Sequence, residues 1–357
     1  MRKSVFSLLV AAAAAMGVAQ DKSPYIAKVF EYKPAPGQYV NEMPEYSEGD
    51  SELDMLAKAN EQLVGEKMPG MVSLGAWGGY VVFGFDHPVV NVPGEYDFKI
   101  YGNAFKPGTA TGGASEPGIV MVMRDDNANG VPDDTWLELA GSEYNNTATN
   151  HNYSITYLRP DPSKAPEPDP QHAYIIDATY IPWTDNAENK GYVMKNSYHT
   201  QPYYPQWIDA EKLEFSGARL PANAQDTSGT GSNWVLSPFD WGYADNLPND
   251  VDSGFKIDWA VDDNGVPVSL DRIDFVKVYS AENQYCGWIG ETSTEISGAE
   301  DLHPNATGIS AIADDATENA HIFNLFGIEM PGALSTLDAG VYFVRTSRGT
   351  QKVCVTH

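Results

Sequence analysis

Cysteine is nearly absent from this chain: Cys286 and Cys354 are the only two in 357 residues. Two thiols cannot build a disulfide framework, and they either pair with each other or stand apart. Cations are scarce as well. Against 49 Asp and Glu there are 22 Lys and Arg, a formal net charge of −27. Such a field repels a phosphate backbone, excluding nucleic acid as a partner, and favours divalent cations. Past the first twenty residues no apolar run approaches the length of a membrane span, so no transmembrane segment is expected. Catalytic signatures are missing too. The sequence has no His-Glu-x-x-His, no Gly-x-Ser-x-Gly, no Walker loop and no Gly-x-Gly-x-x-Gly after a strand, and its seven histidines are scattered. A non-enzymatic role is therefore expected. Paired carboxylates of a glycan-active hydrolase stay open as an alternative, because spacing in sequence cannot reveal their separation in space.

The beginning of the chain is informative. Arg2 and Lys3 precede an apolar, alanine-rich run from Val5 to Val18 that is short for a membrane span, and the small residues Gly17 and Ala19 suit cleavage before Gln20. Residues 1–19 read as a signal peptide, with no nearby cysteine to carry a lipid. The expected product is secreted to the extracellular cell surface. Abundant tyrosine, tryptophan, glycine and proline, with few helical patterns, agree with a β-rich extracellular protein.

The most specific motif is Asp125-Asp126-Asn127-Ala128-Asn129-Gly130-Val131-Pro132-Asp133-Asp134. Oxygen-bearing side chains fall at positions one, three, five and nine with glycine at six, the opening of an EF-hand-type calcium loop. The predicted Ca2+ ligands are Asp125, Asn127, Asn129, Val131 through its carbonyl, Asp133 and Asp134. Position twelve is Trp136, where that loop has a bidentate Glu, so Asp134 or Glu138 would have to substitute. Residues 119–123 before the loop and 136–139 after it read as strands, which predicts a strand-loop-strand clip. The plainer alternative is a hairpin around Asn129-Gly130 with solvated acids.

Along the chain, prolines 24, 34, 36 and 44 mark an extended lead-in. One helix is predicted: Ser51 caps it, Asp54 answers three positions on, and Leu53, Leu56, Leu63 and Val64 form its apolar stripe up to Gly65. From Met71 the pattern is all-β. Residues 72–85 read as two strands around a glycine-rich turn, and Tyr96, Phe98 and Ile100 alternate with charged residues. Further strands are expected over 153–157, 174–183, 212–215 and 273–279, with another alternation at Phe255, Ile257 and Trp259. The proline-rich stretch 161–172 and the small polar run 222–233 read as loops. Asp262-Asp263-Asn264-Gly265-Val266-Pro267 repeats the Asn-Gly-Val-Pro of the clip without its acidic spacing and reads as a plain hairpin. The fold class expected is all-β, a sandwich or jelly roll over residues 20–303 with a small immunoglobulin-like β module over 304–357.

That last stretch carries a resemblance. His321-Ile322-Phe323-Asn324-Leu325-Phe326-Gly327, Leu337-Asp338-Ala339-Gly340-Val341-Tyr342-Phe343-Val344-Arg345 and Gln351-Lys352-Val353 resemble the C-terminal sorting module of proteins exported by the type IX secretion system of Bacteroidota. The resemblance implies passage across the outer membrane and attachment or release there, with an outer-membrane surface partner. Residues 70–302 are similar to a family of secreted bacterial cell-surface proteins, through Phe85-Asp86-His87-Pro88, Tyr96 to Phe105, Trp136 to Ser142, Asp274 to Val278 and Cys286 to Ser293. That likeness implies an extracellular β-sandwich and names no ligand.

Function is then expected to be capture of a small-molecule or glycan ligand. The segment Tyr198 to Trp207 concentrates aromatics between prolines, so Tyr203, Tyr204 and Trp207, with Trp77 in its glycine-rich turn, are the candidate ligand-binding residues. A glycan or another nutrient such as a corrinoid is the expected ligand. The plainer reading of these rings is that they cover an edge of the core; an adhesive or structural surface protein is the other class, and it would show no concave aromatic site at all.

Overall fold

The computed structural model describes residues 22–105, 113–306, 321–324, 327–331, 337, 340–346 and 349–355. The expected signal peptide lies outside them. Among the described residues the protein is all-β apart from one α-helix and short 3₁₀ turns. No helix among the described residues is long and apolar enough to cross a membrane.

The scaffold is an antiparallel six-stranded sheet in the order Lys28–Lys33, Tyr80–Gly84, Phe275–Ser280, Gly118–Met123, Leu137–Leu139 and Ala260–Val261. Alternation along these strands divides two cores. Val81, Phe83, Val120, Val122, Leu137, Leu139, Val276 and Val278 join one buried cluster with Ala59 and Leu63 of the helix. On the opposite face Ile119 and Tyr279, with Tyr80 and Met121 partly buried, meet Tyr153, Ile155, Tyr157, Leu213 and Phe215 of a second sheet. That sheet has four strands in the order Lys190–Asn196, Ile175–Asp185, Asn150–Leu158 and Lys212–Arg219. The described C-terminal strands form a separate sheet in the order Glu329–Met330, His321–Asn324, Gly340–Thr346 and Gly349–Val355.

The helix α1 spans Glu52–Leu63 and carries the predicted capping box between Ser51 and Asp54. Its buried residues are Met55, Ala59 and Leu63, a set spaced by four that points one way. Leu53, expected in the stripe, is 76% exposed. Asn60 ties the helix to the first strand: its Oδ1 accepts from the Val29 amide at 2.8 Å and its Nδ2 donates to the Val29 carbonyl at 3.2 Å.

Three local expectations change. Val72–Ser73 and Tyr80–Gly84 do not pair around the glycine-rich turn; the first joins Glu295–Ile296 and the second the central sheet. The glycines serve close approach, since a Cβ on Gly79 would stand 1.9 Å from the Leu74 carbonyl oxygen. Ile257–Trp259 is a 3₁₀ turn, not a strand, because the buried Asp97 carboxylate takes the Ile257 amide at 2.7 Å. Within the supposed loop 222–233, Ala224–Asp226 pairs with Trp234–Leu236.

Candidate functional site

The strand-loop-strand clip is present: Gly118–Met123 pairs with Leu137–Leu139, Met121 opposite Glu138 and Val122 opposite Leu137. The intervening loop folds on its own side chains. Asp125 is anchored by its amide donating to Asp274 Oδ2 at 2.8 Å, and its carboxylate accepts from the amides of Asn129 at 3.1 Å and Gly130 at 2.8 Å. Asn127 Oδ1 accepts from the Asn129 amide and Asn129 Oδ1 from the Val131 amide. The side-chain amides of Asn127 and Asn129 both donate to Asp133. Ala128 at φ 56° and Gly130 at φ 71° give the chain its left-handed bends. The loop thus gathers Asp125, Asn127, Asn129 and Asp133. Of the other two predicted ligands, the Val131 carbonyl accepts from the Asp133 amide at 2.8 Å, and Asp134 Oδ2 from the Asp126 amide at 3.0 Å. Two carboxylates and two amide oxygens in one turn are hard-oxygen donors of the kind calcium takes.

Beyond the clip, Trp136 and Glu138 face a cleft of about 550 Å³ between the two sheets, whose lining includes Met121, Tyr144, His151, Asn186, Ser216, Asp262 and Lys277. Inner faces of a sandwich are ordinarily apolar, and Glu138 breaks that pattern. It makes no hydrogen bond or ion pair among the described residues, and burial pushes its carboxyl up to about 7. Burial lowers the Lys277 ammonium, which lies 4.1 Å from the centre of the Tyr80 ring.

A third feature was not legible in the sequence. Carboxyl oxygens of Glu116, Asp245 and Glu295 lie within 4.8 Å of one another, the one group of three potential metal-ligating acids among the described residues. Asp245, held at φ 50°, accepts from the Asn103 and Ala104 amides at 2.7 and 2.8 Å and from the Glu295 amide at 3.0 Å. Glu295 accepts from the Ser293 and Ser73 hydroxyls, and Glu116 from the Ser293 amide. No ion pair reaches any of the three among the described residues. Desolvation therefore dominates, raising Glu116 well above the carboxylate range, Glu295 to about 8 and Asp245 to about 6. Glu291 is pushed up to about 7 by burial; its Oε1 accepts from the Gln38 amide, while its Oε2 has no partner. The only local hint is acids set among small, uncharged residues, as in Thr292-Ser293-Thr294-Glu295-Ile296.

The four predicted ligand-binding aromatics are all buried, which corrects the expectation of exposed rings. Trp77 meets Tyr153 edge-on at 4.7 Å, and Trp207 stacks between Tyr32 and Tyr46. The Tyr203 hydroxyl donates to the His199 carbonyl and that of Tyr204 to the Ala210 carbonyl. Tyr203, Tyr204 and Trp207 all join the second core. The exposed ring of this segment is Tyr198, 66% exposed, edge-on to Trp288 at 6.2 Å. Cys286 is a free, buried thiol.

No protein-family model matches the chain, and no curated protein matches it. Its chemistry is therefore read from these residues alone.

Proposed function

We propose that this is an exported, calcium-stabilised cell-surface protein that captures a small-molecule or glycan ligand without transforming it, in the cleft beside the clip. The observation that carries the reading is Glu138, an unpartnered carboxyl on the cleft floor with Trp136 beside it, both on the chain leaving the clip. Ligand sites are concave, with aromatic walls and a few polar groups whose protonation the site has shifted. A cation in the clip would fix the loop from which that strand emerges. Asp125, Asn127, Asn129 and Asp133 would hold it, with water or Asp134 completing the shell.

One observation favours the hydrolase alternative. The oxygens of Glu116 and Glu295 approach within 4.8 Å, close to the spacing of about 5–5.5 Å in retaining glycosidases. Burial weighs against it: Asp245 and Glu295 are 3% and 2% exposed, so of the pair only the half-buried Glu116 is open to a sugar.

Chelation tests the calcium half. Excess calcium at a hundredfold its dissociation constant stabilises the native chain by about 2.7 kcal/mol, so chelator lowers Tm by several degrees and Asp125→Ala abolishes the response while keeping the β-sheet circular dichroism. A melting curve unmoved by chelator or millimolar calcium, with no calcium in elemental analysis, would leave only a hairpin turn. Calorimetry against glycans and corrinoids tests the capture half, and heats indistinguishable from dilution for every ligand would sink it.

A further inference from the structure

The floor of the cleft has a direction, and it narrows the class of ligand. Glu138 stands opposite Met121 across one strand pair, and Met121 stands opposite Lys277 across the next. Residues opposite one another in antiparallel pairs share a face, and strands lie ~4.8 Å apart, so the backbone positions of Glu138 and Lys277 bracket Met121 across about 10 Å of floor. Glu138 has no protein donor among the described residues, so its carboxyl is open to a donor from a bound molecule. Lys277 has no hydrogen-bond acceptor among them; its ammonium lies over the Tyr80 ring within the field of the Glu31 carboxylate, so a hydroxyl of the molecule can supply the acceptor it lacks. Between the two lies a thioether, with the indole of Trp136 and the ring of Tyr144 also lining the space.

A ligand meeting these demands carries hydroxyls that both donate and accept, has hydrocarbon faces for the rings, and is about 10 Å long. We infer that the cleft binds a neutral, polyhydroxylated ligand two sugar rings long, laid along Glu138, Met121 and Lys277. The proposal rests on the ligand-capture reading and specifies it. Charge argues against acidic sugars: Lys277 is the only lysine or arginine in the lining, against Glu138, Asp262 and Asp263. Charge argues against a corrinoid as well, since its phosphodiester would meet the same acids.

The test is calorimetry on the full chain in calcium with cellobiose, maltose, lactose and chitobiose, their tetrasaccharides, a glucuronic-acid-containing disaccharide and cobalamin. At least one neutral disaccharide is expected to bind, with less than a threefold gain on extension to the tetrasaccharide and at least a tenfold loss for the uronic acid. Glu138→Ala and Lys277→Ala each weaken that binding tenfold or more. Glu138→Gln, whose carbonyl still accepts, weakens it less and keeps the comparison interpretable should the alanine variant unfold, as judged by its melting curve. Neutral-sugar binding untouched by both alanine variants, or binding of the acidic sugar or cobalamin alone, overturns this assignment and leaves capture standing. No binding by any ligand overturns both.

Discussion

Tyr203→Ala lowers the stability of the protein by about 3–5 kcal/mol, the cost of emptying a large aromatic site in a core. The ring is fully buried, its hydroxyl bonds the His199 carbonyl and receives the Asn196 amide, and Tyr180 packs edge-on against it at 5.5 Å. Urea denaturation reads the effect as a lower midpoint at unchanged slope. Tyr198→Ala, five residues earlier and exposed, is the control and stays within about 0.5 kcal/mol of the parent. If the two variants melt alike, the inward packing of this segment is wrong.

Raising the pH from 5 to 9 in chelator destabilises the protein through the buried acids. Glu295 and Asp245 have folded-state values of about 8 and about 6, both above the ordinary carboxylate range of an unfolded chain. Below that range both states are protonated and the full stability is present. As pH rises, the unfolded state releases its protons first, and stability falls until the folded groups ionise in turn, near 6 for Asp245 and near 8 for Glu295. The two carboxyls interact and titrate as a pair, so the loss is a property of the pair and not of Glu295 alone. Glu295→Gln, which keeps a carbonyl for the Ser73 and Ser293 hydroxyls, flattens the upper part of the curve. Equal stability of the parent at pH 5 and 9, measured by urea titration in chelator, would show that these carboxyls share their charge with solvent.

The clip was legible because its determinants are local. Asn129-Gly130 sets the turn, the alternation of 119–123 and 136–139 sets the strands, and the acid spacing converges side chains within ten residues. The helix start was legible for the same reason, through Ser51 and Asp54. Ring exposure was not. Whether Tyr203 or Tyr198 points outward depends on the second sheet and on Gln38, far away in sequence, which bonds Asn196 and Gln201. Glu116, Asp245 and Glu295 come from three separate segments, and nothing in their spacing announces that they meet. Glu138 was legible only as a possible substitute ligand for the clip, and the structure places it in the cleft lining instead. The second sheet, built from residues 150–219, arrives over that face and turns an outward position into a cleft floor.

The contact between Asn60 and Val29 has a consequence for the protein at high concentration. The strand Lys28–Lys33 lies at one margin of the central sheet, where free amides and carbonyls would template a strand from another molecule. The Asn60 side chain occupies both main-chain groups of Val29, and the register slips between Val29 and Glu31, so a would-be neighbour finds its hydrogen-bonding rungs taken or out of step. At the other margin Ala260–Val261 is only two residues long, and Val261 is bridged to Pro267 by its own turn. The largest sheet is blocked at both margins, and crowding molecules together does not extend it from one to the next.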